Sequence, residues 1–291
     1  MNQTAFEQVV VIGYGVVTKE VLQIVCDFAP QYGYTCAYIE HEVHPFNGAQ
    51  KVANAEGISQ AVIEDRQQLT THFETLLSRK TLIISASNNY LFPKSIVESD
   101  NATIINFHNA LLPNLPGRNA PSWAIFEGKE KTGITWHYVT EGVDAGDIII
   151  QKTCAITEDT KAYELVAQQM KLAAEAFGEC YEDVLKQQAK GSRQEVPAYR
   201  RLYKSYEVPG EAQFSLEDSP TDIYRLLRSI DYGKNGIFPA ARFDKGGETM
   251  QVTRYKKVLA EAVEDKADRM YLPLGSEHFL MLKYKPLDAA E

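Results

Sequence analysis

Cysteine, tryptophan and methionine are all scarce in this chain, at four, two and five among 291 residues. The cysteines, Cys26, Cys36, Cys154 and Cys180, form neither a CxxC pair nor a cysteine–histidine ligand spacing. Set among apolar neighbours such as Leu22-Gln23-Ile24-Val25, they read as reduced, buried thiols, which excludes a disulfide framework and a zinc module. No run reaches the roughly 18 apolar residues that cross a bilayer. The stretch Met1 to Gln8 has neither a cationic start nor the apolar run of a leader. A soluble, cytoplasmic protein without a membrane partner is expected.

Positive charge is also in short supply. Thirty Lys and Arg face 39 Asp and Glu, a net charge of −9. The deficit lies in residues 1–190, with 14 basic against 23 acidic side chains, while the remainder is neutral at 16 against 16. Neither part carries the footprint of a phosphate-backbone binder, so no nucleic-acid partner is expected. With 44% hydrophobic and 24% charged residues the composition is that of a globular protein, and it excludes wholesale disorder and a coiled coil.

The first 160 residues alternate β-branched runs with helical patterns. Strands are expected at Val9–Ile12, Thr35–Ile39, Thr81–Ser85, Thr103–Phe107, Gly133–Tyr138 and Asp147–Ala155. Helices are expected at Val16–Phe28, Asp65–Leu77, Pro121–Glu127 and from Thr160 to about Gln188. This predicts an α/β fold: a Rossmann-like, mostly parallel sheet with helices on both faces. A break at Ala189–Pro209 precedes a short helix, Ile223–Ile230, and strands at Ala241–Phe243, Met250–Val258 and His278–Tyr284, separated by turns read at Lys245-Gly246-Gly247 and Pro273-Leu274-Gly275. The resulting partition is a catalytic domain over 1–190, a linker over 191–209, and a small β-rich domain over 210–291 for which an OB-like form is one option. Its concentration of Leu272, Leu274, Phe279, Leu280 and Leu282 favours a homodimer.

Two motifs are weak. Val9-Val10-Val11-Ile12-Gly13-Tyr14-Gly15 resembles the start of a dinucleotide fingerprint, but the third glycine position holds Thr18, and a tight strand-to-helix turn accounts for the glycines. His41, Glu42 and His44 beside Pro45 read as a solvated loop, and no metal site is expected.

The informative stretch is Ile104 to Gln151. Asn106 and His108 alternate with Ile105 and Phe107, so on a strand they share one face while the apolar residues enter the core. A proline-rich loop follows, Pro113 to Asn119, then a helix and a strand, and then a second loop with Asp144 and Asp147 among glycines. Open α/β sheets bind ligands at such an edge. A carboxamide, an imidazole and a carboxylate brought together there suit acyl transfer to an amine: Asn106 stabilises an oxyanion, neutral His108 accepts the amine's proton, and Asp144 fixes the imidazole tautomer and stabilises its cation. Asp147 is read as structural. Trp136 and His137 alternate on the strand before the Asp144 loop, so one faces the core and the other can reach the site, with packing the favoured reading for either.

These residues resemble the 10-formyltetrahydrofolate-dependent formyltransferase family, which includes methionyl-tRNA formyltransferase and the sugar N-formyltransferases. The resemblance rests on Asn106-x-His108, Leu111-Leu112-Pro113, Gly133-Ile134-Thr135 and Asp144-Ala145-Gly146-Asp147, with His108 and Asp144 separated by 36 positions. It is strong over about 50 residues and faint beyond residue 190. It implies Asn106, His108 and Asp144 as the catalytic group and 10-formyltetrahydrofolate as co-substrate. It further implies a pterin site from Ala110, Leu111, Leu112 and Pro113 with Thr140, Glu141, Gly142 and Val143, lined also by Arg118, and with Ser87, Asn88 and Tyr90 as the other wall. The chain departs from the family at His108-Asn109-Ala110, where His-Pro-Ser is usual.

The acidic charge weighs against tRNA as acceptor. A small-molecule amine is expected, either a nucleotide-linked amino sugar or an amino acid derivative, with Tyr90, Phe107, Trp123 and Trp136 available for stacking. Methionyl-tRNA formylation and hydrolysis of the formyl donor are the alternatives.

Overall fold

A computed structural model describes residues 4–42, 48–196, 201–234, 236–264 and 266–287. It resolves into two compact units, one of residues 1–117, 132–154 and 167–202, the other of residues 118–131, 155–166 and 203–291. The strands Gln8–Gly13 (β1), Thr35–Glu40 (β2), Ser59–Val62 (β3), Thr81–Ala86 (β4), Ala102–His108 (β5), Lys131–Tyr138 (β6) and Ile148–Ala155 (β7) form one sheet in the order β3-β2-β1-β4-β5-β6-β7. β1 to β5 are paired in parallel, and β6 runs antiparallel to β5. The strand order reverses beside β1, so the carboxyl ends of β1 and β4 open a crevice of the kind that receives ligands in this architecture.

Side-chain alternation explains the layers. Val9 and Val11 of β1 pack in a cluster with Val17, Val21 and Val25 of the helix Gly15–Tyr32 (α1) and with Ala173, Phe177 and Tyr181 of the helix Ala162–Leu185 (α6). Val10 and Ile12 point the other way, towards Leu69 and Phe73 of the helix Arg66–Leu76 (α3). Helices therefore cover both faces, as the pattern of the sequence predicts. Gly48–Ala55 (α2) and β3 were not foreseen. β3 is an edge strand of four residues with half-exposed or exposed side chains, so it carries no apolar run to read. A single helical turn, Lys94–Val97 (α4), precedes β5.

In the second unit, Pro220–Ser229 (α7) starts at Ser219, whose hydroxyl accepts from the Asp222 N–H. Its Ile223, Leu226 and Leu227 pack with Phe214, Phe243 and Leu282 in one cluster. The strands Arg242–Lys245 (β8), Glu248–Leu259 (β9), Arg269–Leu274 (β10) and His278–Pro286 (β11) form an antiparallel sheet in the order β10-β11-β9-β8. The turn read at Pro273-Leu274-Gly275 begins later than expected. β10 is an edge strand with a single neighbour, so Pro273 loses no ladder bond it needs. The helix Ala120–Phe126 (α5) also falls within this unit.

The first turn of the sheet accounts for the Gly-x-Gly signal without a nucleotide. Gly13 has φ +145°, and a Cβ there would lie 1.8 Å from the Ala86 carbonyl oxygen of β4. Thr18, at the third glycine position, donates its hydroxyl to the carbonyls of Tyr14 (2.8 Å) and Ala86 (2.5 Å) and ties the same turn to the same strand. Among the described residues no helix is long and apolar enough to cross a membrane.

Gly13→Ala must push two core strands apart and is expected to cost about 3 kcal/mol or more. Gly15, at φ +82° with open space around its Cβ position, should cost only about 1 kcal/mol on the same change. Urea unfolding of the two variants measures the difference; equal losses would show that contact with β4 is not what demands glycine at position 13.

Candidate active site

Three neighbouring strands place polar side chains in one row. Parallel pairing sets Ser85 of β4 beside Asn106 of β5, and antiparallel pairing sets Asn106 beside His137 and His108 beside Thr135 of β6. The intervening Ile105, Phe107 and Trp136 enter the apolar cluster, where the Trp136 indole N–H donates to the Ala173 carbonyl at 2.9 Å. Period-two alternation thus separates the polar row from the core that supports it.

Asp144 joins the row from the loop after β6. Its Oδ2 lies 3.5 Å from His108 Nδ1 and its Oδ1 3.6 Å from His137 Nε2. Asn106 Nδ2 is 3.2 Å from His137 Nε2, and Ser85 Oγ is 2.7 Å from Asn106 Oδ1. His108 and His137 are 5% and 2% exposed, the Asp144 side chain is 10% exposed, and Asn106 is half-buried. The row is therefore most open at its carboxamide.

The carboxylate's setting is built by the chain around it. Asp144 adopts φ +49°, and the Gly117 N–H donates to its Oδ2 at 2.7 Å. Gly146 lies so close to the Tyr138 carbonyl that a Cβ would come within 1.8 Å of it. The buried Gln194 amide donates to the carbonyls of Asp144 (3.0 Å) and Gly146 (2.6 Å) from a segment that also bridges Ser192 to Ile148. Burial alone would push the Asp144 carboxyl up. The positive charge that His108 carries when protonated, the closeness of the His137 ring and the Gly117 N–H together hold it well below the usual carboxylate range.

The tautomer of His108 is set by a different group from the one expected. Its Nε2 is 2.8 Å from the Leu115 carbonyl, an acceptor only, so Nε2 carries hydrogen. Nδ1 then faces Asp144, and a proton taken up there forms an ion pair with the carboxylate. A carboxylate at that distance would stabilise the cation, while the backbone holds the tautomer.

Other expected site residues are placed as follows. The Ala110 carbonyl accepts from the Thr135 hydroxyl at 2.6 Å. Leu112 donates its N–H to Thr135 Oγ1, and its carbonyl accepts from the Gln151 amide at 2.9 Å. These backbone groups serve the fold first. Leu111 and Pro113 are half-buried, and Thr140, Glu141, Gly142 and Val143 are exposed before Asp144. Asn88 spends its amide on its own turn, to the Tyr90 backbone and to Ser85 Oγ at 3.3 Å, while Ser87 is half-buried at φ +58°.

Tyr90 is corrected. Its ring is 3% exposed and packs with Phe73 and Phe92, and its hydroxyl bonds Thr70, so it is part of the core and not a wall. The expected stacking platform is corrected with it: Phe107, Trp123 and Trp136 are 8%, 4% and 0% exposed. Aromatic rings next to polar row residues alternate inwards. Arg118 is exposed in the second unit, where its N–H donates to the Tyr203 carbonyl. Among the described residues no group of three metal-ligating side chains occurs, and His44 lies outside them.

Sequence reasoning missed the parts played by His137, Ser85 and Gln194. A signal for His137 was present: it alternates with Trp136 on the strand feeding the Asp144 loop, so one of the pair had to face the row.

A family model described as formyl transferase matches residues 6–180. The methionyl-tRNA formyltransferase of Clostridioides difficile (strain 630) is 30% identical over 155 residues, which cover 53% of this chain and 44% of that protein. The chain spans about half the length of the curated relatives it matches first. Among solved structures, an N-formyltransferase from Helicobacter canadensis, in complex with folinic acid and dTDP-3-aminofucose, has a TM-score of 0.72 at 13% identity. It covers 96% of this chain and 100% of its own. A sugar N-formyltransferase from Shewanella sp. has a TM-score of 0.67 at 18% identity, covering 84% of this chain and 96% of its own. At such identities the likeness to the solved structures is one of fold.

Because the Asp144 carboxyl is held below its ordinary value of 3.8, the folded state resists protonating it more than the unfolded chain does. The stability this contributes is present above about pH 4 and is lost as pH falls towards the lower folded value. Urea unfolding at about pH 7 and about pH 3 should show a smaller acid loss for Asp144→Asn than for the unaltered protein. Equal acid losses would mean that the carboxylate is not held as described.

Proposed function

The chain belongs to the formyl transferase family, and we propose that it transfers the formyl group of 10-formyltetrahydrofolate to the amine of a small-molecule acceptor, such as a nucleotide-linked amino sugar or an amino acid derivative. The observation that carries this reading is the convergence of a half-buried carboxamide, two imidazoles and a carboxylate, linked by distances of 3.2–3.6 Å at the sheet edge.

The residues fit such a donor. Asn106 Nδ2 has two hydrogens and gives one to His137, which leaves the other for a carbonyl oxygen. The exposed Glu141, Gly142 and Val143 lie beside Asp144 where a pterin edge could approach, whereas Ala110 and Leu112 are buried. When bound, 10-formyltetrahydrofolate supplies an activated one-carbon carbonyl that an amine attacks directly. Asn106 would donate to the oxygen that gains negative charge. His108 would take the amine's proton at Nδ1, Asp144 would pair with the resulting imidazolium, and the proton would pass on to N10 of the donor as the formyl C–N10 bond breaks and tetrahydrofolate leaves. Neither step requires a covalent nucleophile from the protein.

Support for a small acceptor comes from the fold neighbours, which share nearly the whole chain and are described as N-formyltransferases, one of them with a nucleotide-linked amino sugar. The net charge of −9 points the same way. The methionyl-tRNA formyltransferases are matched over about half their length, so their acceptor is carried over less well.

The test offers 10-formyltetrahydrofolate with a panel of nucleotide-linked amino sugars, amino acids and initiator tRNA, and reads mass gain of one formyl group. Formylation of a small amine is expected, with losses of about 10²-fold or more in kcat for Asn106→Ala and for His108→Ala. Formylated tRNA alone, or formate released at the same rate without any amine, would overturn the acceptor class.

A further inference from the structure

We propose that Ser85 and His137 are positioning residues that together fix which end of the Asn106 carboxamide faces the reacting oxygen. The two ends are nearly the same size, and a half-turn about the last side-chain torsion exchanges a donor for an acceptor. A carbonyl turned towards the forming oxyanion would repel the charge that the N–H is there to hold. Something must therefore select the orientation.

Two independent contacts select the same one. On the β4 side, Asn88 Nδ2 donates to Ser85 Oγ at 3.3 Å, which occupies a lone pair of that oxygen. Ser85 lies 2.7 Å from Asn106 Oδ1 and delivers its hydroxyl hydrogen there. On the β6 side, His137 Nδ1 is 2.8 Å from the Tyr138 carbonyl, which can only accept, so the ring's hydrogen sits on Nδ1. The neutral ring then offers a lone pair at Nε2, and it is Asn106 Nδ2, 3.2 Å away, that donates to it. The opposite orientation would need a hydrogen on Nε2 as well, hence a second proton on a ring that is 2% exposed.

The geometry follows from register. Ser85, Asn106 and His137 occupy one row across three neighbouring strands, so both holders meet the carboxamide on rigid backbone and not on loops. Ser85 is 2% exposed and is supplied with its own partner by Asn88, which makes the row a relay from Asn88 through Ser85 and Asn106 to His137. The chemical consequence of this arrangement rests on the formyl-transfer reading, whereas the orientation itself does not.

Nitrogen-15 NMR of the full-length protein, labelled in asparagine and histidine, reads the orientation without any acceptor. The His137 signals, assigned by their loss in His137→Gln, are expected to show a neutral ring protonated on Nδ1. The Asn106 side-chain amide, assigned by its loss in Asn106→Ala, is expected to shift in Ser85→Ala and to return towards its original position in Ser85→Thr, which keeps the hydroxyl. In turnover with 10-formyltetrahydrofolate, Ser85→Ala should lower kcat by about tenfold or more, within the 10²–10³ expected for losing the donor outright, with KM for the donor unchanged. In an Asn106→Ala background the same change should add no further loss. A His137 ring protonated on Nε2 in the unaltered protein, an Asn106 amide that does not move in Ser85→Ala, or losses that multiply in the double variant would each overturn the assignment. The expected spectra in a protein that formylates no amine would uphold the positioning and refute the formyl-transfer reading.

Discussion

Removing the Asp144 carboxylate from most of its water is the constraint on which the site depends. An ionised carboxyl with a side chain only 10% exposed is tolerable if charge and hydrogen bonds replace the lost solvent. The replacements come from far apart in the chain: the Gly117 N–H, His108 on β5, His137 on β6, and the Gln194 amide holding the loop's own carbonyls. Each of these segments is thereby committed to one geometry. The carboxylate orders the loop, and the ordered loop keeps two imidazoles beside the carboxamide. A buried charge with three partners is costly to disturb from any side, so the arrangement is held more firmly than a looser, wetter cluster would be.

Much of the fold was legible because its core strands carry dense apolar runs. β1, β2, β4, β5, β6 and β7 and the helices α1, α3, α5 and α6 lie where the periodicity put them, with ends displaced by a few residues. The elements that escaped notice are those with little to bury. β3 shows only one residue that is not fully exposed, and α2 is a short helix with three buried side chains. β10 was hidden by Pro273, because an edge position removes the penalty from which the turn was inferred. What a sequence pattern reports is burial, so elements at the rim of a sheet leave a faint trace.

The site divides in the same way. Asn106, His108 and Asp144 were legible from residue type and spacing, since their chemistry is unusual for positions beside an apolar strand. Ser85, His137 and Gln194 were not, because their roles depend on register across strands and on a segment 50 residues from the loop it clips. Alternation tells which face a side chain takes, but not which neighbour it meets there. The same rule defeats the expected aromatic platform. Phe107 lies between Asn106 and His108, and Trp136 between Thr135 and His137, so placing the polar residues at the site commits the rings to the core. There they pack in tilted pairs, Phe107 against Trp136 and Trp136 against Phe177, and support the strands from beneath.

A row of this kind offers one carboxamide, two imidazoles and one carboxylate, and it is indifferent to what lies beyond the small polar groups that these can meet. The acceptor's remaining parts must be read by groups outside the row, and the rim of the sheet is the place to seek them. At that rim, β2 ends in Glu40, buried and held by the Gln50 amide at 2.6 Å, and Glu42 accepts from Asn89 at 2.7 Å. The first turn of α1 has no acidic side chain, and its N-terminus follows the tight Gly13 turn. Neutral amides hold both carboxylates in place without removing their charge, while a helix start favours an anion by its dipole. Charge of both signs therefore borders the rim at fixed positions, so its electrostatics are separable from those of the row that the buried Asp144 carboxylate organises.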